Sequence, residues 1–156
     1  MNVPHGLAEI QEVYGHITAK NGRIVSPANW TKDNIVLIHN PPFAELPSRE
    51  IWCHRLVVPD LQAIFQQVIA LEHKLKKPLI YSIDGCWVVR VQRGSSDILS
   101  CHAFGIAIDI NASRNPRGGR SYQSEALVDL FRWRGWEWGN NFPTPDPMHF
   151  QRATGY

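Results

Sequence analysis

The stretch Ser100-Cys101-His102-Ala103-Phe104-Gly105-Ile106-Ala107-Ile108-Asp109-Ile110-Asn111 constrains this chain more than any other. Isoleucine at 106, 108 and 110 alternates with Ala107, Asp109 and Asn111, which is the period of a β-strand. Asp109 therefore points away from the isoleucine face. A carboxylate embedded in such a strand carries a heavy desolvation cost unless something pairs it. A cation would pair it, and His102 could help hold that cation. Near the end of the chain, Asp146-Pro147-Met148-His149-Phe150-Gln151 brings a second histidine. The two stretches are expected to close one metal site from His102, Asp109 and His149.

The rest of the chain is an ordinary setting for such a site. Its 156 residues suit one domain with a real core. We expect residues 1–50 to form an N-terminal helix and an irregular wrapping arm, and residues 51–156 to form the core. A formal net charge of +2 does not argue for nucleic acid. Cys53, Cys86 and Cys101 cannot all pair and form no CxxC, so a disulfide scaffold is not expected. The start of the chain lacks a basic region followed by an apolar run. No stretch reaches the roughly 20 apolar residues of a membrane span. Synthesis in the cytoplasm without a signal peptide is the expectation, and a monomer the default.

Helical spacing of Leu7, Ile10, Val13 and Tyr14 predicts a helix over 4–14. Ile35–His39 reads as a strand ended by Asn40-Pro41-Pro42. A strand over 51–58 holds His54, read as a satisfied buried histidine rather than a ligand. The longest helix is predicted over 59–76, with Pro59 and Asp60 at its start, an apolar stripe from Leu61 to Leu75, and Pro78 beyond its end. Glu72 and His73, in its last turn, are expected to be exposed. Apolar runs at 79–82 and 86–90 around Asp84-Gly85 predict a hairpin. The arginine-rich loop 113–120 is read as solvated. A last helix, from Ser121 or Gln123 to Arg134, should be packed by Leu127, Leu130, Phe131 and Trp133.

Catalytic zinc takes three protein ligands and keeps a fourth position open. His102, Asp109 and His149 supply two nitrogens and an oxygen. Asp146, three residues before His149, puts a second carboxylate nearby that need not bind the metal. Such a group can take a proton from an attacking water and pass it to a leaving amine. Taken singly, each of these residues reads as structural; together they point to a metal hydrolase. A rival reading makes Cys101 a nucleophile. Adjacent residues on an extended chain face opposite ways, so His102 is poorly placed to serve it.

The joint pattern resembles the zinc D-alanyl-D-alanine carboxypeptidase and L-alanyl-D-glutamate endopeptidase family, which includes VanY-like bacterial enzymes and many phage endolysins. The amino-terminal domain of Hedgehog proteins is a relative in fold. The hallmark is Ser-x-His-x6-Asp, matched by Ser100, His102 and Asp109, then Asp/Glu-x-x-His, matched by Asp146 and His149. Gly135-Trp136-Glu137-Trp138-Gly139 fits as well. Residues 79–151 carry the resemblance, and the N-terminal half only loosely. It implies an α+β fold: a small antiparallel sheet carrying the zinc site, flanked by about three helices.

The resemblance also implies Zn2+ on His102, Asp109 and His149, with Asp146 as general base. Arg90 matches an arginine that steadies the oxyanion. Ser100 and Trp138 are weaker candidates for substrate contact. The implied substrate is the peptide stem of cell-wall peptidoglycan, reached after release by another system. Aspartate rather than glutamate at 146 leans toward an L-alanyl-D-glutamate endopeptidase of phage endolysin type. A D-alanyl-D-alanine carboxypeptidase is the alternative, and a non-catalytic Hedgehog-like zinc module a further one.

Overall fold

The computed structural model describes residues 2–156. Helix α1 (Gly6–Tyr14) leads into a small hairpin of β1 (Thr18–Lys20) and β2 (Arg23–Val25), then a single helical turn, α2 (Trp30–Asn34). Strand β3 (Ile35–His39) pairs antiparallel with β4 (Glu50–His54), Ile35 opposite His54. The long helix α3 (Val58–Leu75) follows. The remaining elements are β5 (Ile83–Gly85), β6 (Ala107–Ile110), α4 (Glu125–Trp133), β7 (Glu137–Trp138) and β8 (His149–Gln151). These last four strands form one antiparallel sheet in the order β5-β6-β8-β7. The architecture is the expected α+β, with the sheet at its centre and helices against it. Among the described residues, no helix is long and apolar enough to cross a membrane.

The apolar stripe of α3 explains its place. Leu61, Ile64, Phe65 and Val68 recur at helical spacing and are all buried. Each contributes about 1.5–3 kcal/mol of apolar burial before entropy is counted. Pro59 occupies the first turn, where its missing N–H costs nothing, and Lys76 ends the helix in the left-handed conformation at φ 52°. Helix α4 buries Leu127, Val128, Leu130 and Phe131. Phe131 stacks on Phe150 of β8 with centroids 4.3 Å apart, which fixes α4 under the strand that bears His149. Arg152 Nε donates to Asp60 Oδ2 at 2.9 Å, tying the end of β8 to the start of α3.

The first fifty residues are more ordered than an irregular arm. Ile10, Tyr14, Ile17, Trp30 and Ile35 join the core. The Tyr14 carbonyl accepts from Trp30 Nε1 at 3.1 Å and His54 Nε2 at 3.2 Å. His54 Nδ1 accepts from the Leu56 N–H, so both its nitrogens are satisfied, as the sequence suggested. Burial pulls its pKa down to about 4. Pro4 and Gly6 exchange backbone hydrogen bonds with Thr154, joining the two distant segments.

Three local expectations are corrected. Residues 79–90 do not form a hairpin about Asp84-Gly85; those residues lie within β5, which pairs with β6. Asn111, held at φ 57° just past β6, captures the preceding segment instead. Its Oδ1 accepts from the Tyr81 and Ser82 N–H groups, and its Nδ2 donates to the Leu79 carbonyl. Glu72 is buried, not exposed, and its carboxylate accepts from Ala44, Leu79 and Ile80 N–H groups at 2.7–3.1 Å. Trp133 does not pack α4; it is 80% exposed on the outer face.

Candidate metal centre

His102 stands on a 3-10 turn, Cys101–Phe104, that precedes β6. Ser100 begins the turn by accepting the His102 N–H on its hydroxyl at 3.3 Å. Gly105 ends it at φ 69°, where a Cβ would lie 2.8 Å from His54 N and 2.9 Å from Ile35 Cδ1. Only glycine fits there. The buried imidazole donates from Nδ1 to the Cys86 carbonyl at 2.8 Å, leaving Nε2 without a proton and facing β6.

Asp109 and His149 lie directly opposite each other across β6 and β8. Asp109 Oδ1 is 3.1 Å from His149 Nδ1 and 3.2 Å from His102 Nε2, and the two nitrogens are 3.1 Å apart. His149 Nε2 meets Gln151 Oε1 at 3.0 Å. The Gln151 amide nitrogen faces three acceptors: Glu137 Oε2 and the carbonyls of Ala153 and Tyr156. Its oxygen must therefore face His149, so the imidazole proton is on Nε2. Three lone-pair atoms then converge with no proton between them, an arrangement that repels itself unless a cation sits in the middle.

The donor set fits zinc. Two imidazoles and a carboxylate are a catalytic zinc set, and ligand atoms around tetrahedral zinc stand about 3.3 Å apart. These three residues form a group able to hold a metal ion.

A cleft of about 140 Å³ opens beside the three residues, lined by Arg90, Arg93, Ser100, Arg117, Asp146 and Tyr156 among others. Asp146 is held by its backbone: its N–H donates to the Gly139 carbonyl at 2.8 Å, and its carbonyl accepts from His149 N–H at 3.0 Å. A Cβ on Gly139 would come within 2.6 Å of the Asp146 carbonyl oxygen, so glycine permits this approach. Asp146 Oδ2 is 3.8 Å from Arg117 Nε, while Oδ1 is buried and has no hydrogen-bond partner among the described residues. Burial raises the Asp146 pKa, opposed by His149. An unpartnered buried carboxylate oxygen next to a metal-type cluster fits a site that takes water or substrate.

The structure thus brings His102, Asp109, His149, Asp146, Arg90 and Ser100 to one place. It does not bring Trp138 there. That indole donates to the Pro147 carbonyl at 2.8 Å and stacks on Phe150, outside the cleft lining. Cys101 lines the cleft, but burial pushes its thiol far up and leaves it a poor nucleophile. The loop arginines could contact an acidic substrate, although a solvated loop is the default reading; Arg117 of that loop faces Asp146 at the cleft. Sequence reasoning passed over Gln151, although alternation along His149-Phe150-Gln151 puts Gln151 on the His149 face.

Residues 93–152 match a family model described as D-alanyl-D-alanine carboxypeptidase. No curated protein and no solved structure matches the chain. The matched stretch carries β6, β8, the three converging residues and Asp146. That match supports a peptidase, a hydrolase of amide bonds. The match supports the family whose motifs the sequence displays, over residues 93–152.

Proposed function

We propose that this chain is a zinc-dependent peptidase that cuts an amide bond in the peptide stem of peptidoglycan, of the L-alanyl-D-glutamate endopeptidase type found in phage endolysins. The observation that carries the catalytic reading is the buried, unpartnered Asp146 Oδ1 beside the His102, Asp109 and His149 cluster. Those three residues would hold the metal. A bound zinc ion supplies Lewis acidity to the scissile carbonyl and makes water a better nucleophile at neutral pH.

The chain's own groups supply the rest. Asp146 takes the proton of the attacking water on its carboxylate as the new carbon–oxygen bond forms. It returns that proton to the amine as the carbon–nitrogen bond breaks, and ends as it began. Arg90 lines the same cleft and offers its guanidinium to the charge that grows on the carbonyl oxygen. Ser100 fixes the turn that carries His102. Arg93 and Arg117 bring further positive charge to the cleft, which supports a substrate with a free carboxylate, such as a D-glutamyl residue.

A D-alanyl-D-alanine carboxypeptidase is the second reading, favoured by the description of the matching family. Its substrate also ends in a carboxylate. Digestion of purified peptidoglycan separates the two. New amino-terminal D-glutamate, identified by mass spectrometry, supports the endopeptidase; release of single D-alanine makes it a carboxypeptidase. No cleavage, with zinc bound, leaves the non-catalytic zinc module. We further propose that the enzyme acts as a monomer and reaches the wall through a release system separate from itself.

A further inference from the structure

We propose that Gln151 is the positioning residue for His149, holding its imidazole in the tautomer that leaves Nδ1 free for the metal; this rests on the metal-centre reading above. The two histidines of the cluster are oriented by different means. His102 has its proton drawn to Nδ1 by a main-chain carbonyl, that of Cys86, at 2.8 Å. His149 presents the opposite nitrogen to the cluster, and its proton is drawn to Nε2 by a side chain, Gln151 Oε1, at 3.0 Å.

Neutral imidazole carries one proton on one of two nitrogens, and its outer hydrogen bond decides which. An amide can face either way, so Gln151 alone would not decide. Glu137 removes that freedom: its Oε2 accepts from Gln151 Nε2 at 3.1 Å, and the carbonyls of Ala153 and Tyr156 accept from the same nitrogen. With the nitrogen held on that side, the oxygen points at His149. Gln151 is buried, so water does not compete for the contact. Glu137 sits on β7 and His149 and Gln151 on β8, with Glu137 directly opposite Gln151. The sheet register therefore sets the relay. Outer partners of this kind typically govern metal affinity by about 10–100-fold.

Two variants of the full chain separate positioning from support of the fold. Gln151→Met keeps length and apolar packing but cannot accept from His149. Gln151→Glu combined with Glu137→Gln keeps the acceptor toward His149, gives up the bonds that Gln151 donates to the two carbonyls, and avoids opposing carboxylates. Ring 15N NMR of the chain after metal removal reads the His149 tautomer, and competition with a chromogenic chelator reads zinc affinity.

Parent and double variant should show the Nε2–H tautomer and comparable zinc affinity. Gln151→Met should gain the Nδ1–H tautomer and bind zinc about 10–100-fold more weakly. Parental tautomer and affinity in Gln151→Met would overturn the proposal. So would a double variant that loses affinity as far as Gln151→Met, since loss of the donated bonds would then explain both. If Gln151→Met does not fold, the double variant decides alone, and loss of its Nε2–H tautomer or its zinc overturns the proposal. Neither readout uses substrate, so absence of peptidoglycan cleavage would count against the proposed function and leave this result standing.

Discussion

Asp109 and His149 face each other across two antiparallel strands, with Oδ1 and Nδ1 3.1 Å apart. Strand pairing alone brings these two groups together, before any metal arrives. Only His102 must be delivered by a separate turn. A site assembled this way should be preformed, with the metal recruited to a rigid pair and closed by the third residue.

His102→Ala is accordingly expected to abolish stoichiometric zinc while leaving the sheet intact. Elemental analysis of the purified variant checks the first part, and far-UV circular dichroism the second. Full zinc content in His102→Ala would remove this residue from the ligand set.

Asp146→Asn is expected to keep zinc and lose about 10²–10⁴-fold in kcat, because the amide matches the carboxylate in size but cannot take the proton. The Asp146 backbone bonds to Gly139 and His149 do not involve the side chain, so the fold should hold. Zinc loss would make Asp146 a ligand instead, and near-parental turnover would take it out of the reaction.

Arg90→Ala should lower kcat by about 10²–10³-fold with zinc retained, the scale seen when one donor to a developing oxyanion is lost. Among the described residues its guanidinium makes one long hydrogen bond, 3.4 Å to the Val91 carbonyl, so little stability should go with it. An unchanged kcat/KM would mean that Arg90 is merely a charge at the rim.

His54 should make stability fall in mild acid. Its folded pKa of about 4 lies below the ordinary 6.5, so between these values the unfolded chain binds the extra proton. The contribution is complete above about pH 6.5, is lost as pH drops toward 4, and amounts to roughly 3 kcal/mol. Urea titrations at several pH values should show this slope in the parent. His54→Gln should flatten it, and an equal slope in both would place the acid sensitivity elsewhere.

Glu72→Ala should destabilise the fold by roughly 3–5 kcal/mol, since the buried Leu79 and Ile80 N–H groups and the Ala44 N–H lose a charged acceptor at once. Activity per folded molecule should be unchanged, because Glu72 is remote from the cleft lining. Urea denaturation gives the first quantity and active-site titration against zinc content the second.

The candidate site was legible because each of its two motifs is local. The alternation of Ile106, Ile108 and Ile110 exposes the face on which Asp109 lies, and the spacings from Ser100 to Asp109 and from Asp146 to His149 are short. The long helix was equally legible from its stripe and its proline. What could not be read depends on partners distant in the chain. Glu72 looks solvated until Ala44 and Leu79 are brought to it. Asp84-Gly85 looks like a turn until Asn111 captures Tyr81 and Ser82 and β6 offers a ladder. Trp133 looks like core by type, yet the buried stripe of α4 passes through Leu127, Leu130 and Phe131 and leaves it outside.

The exchange of backbone hydrogen bonds between Pro4, Gly6 and Thr154 bears on synthesis as well as on stability. The first helix packs on Trp30 and His54, but its backbone bonds to residue 154 form only once that residue has left the ribosome. By then His149 has also emerged, so the candidate metal centre and the seam between these two segments become available together. Earlier nascent chains hold Asp109 without its strand partner. The proposed activity is thereby withheld until translation has passed β8, a delay enforced by topology without any inhibitor.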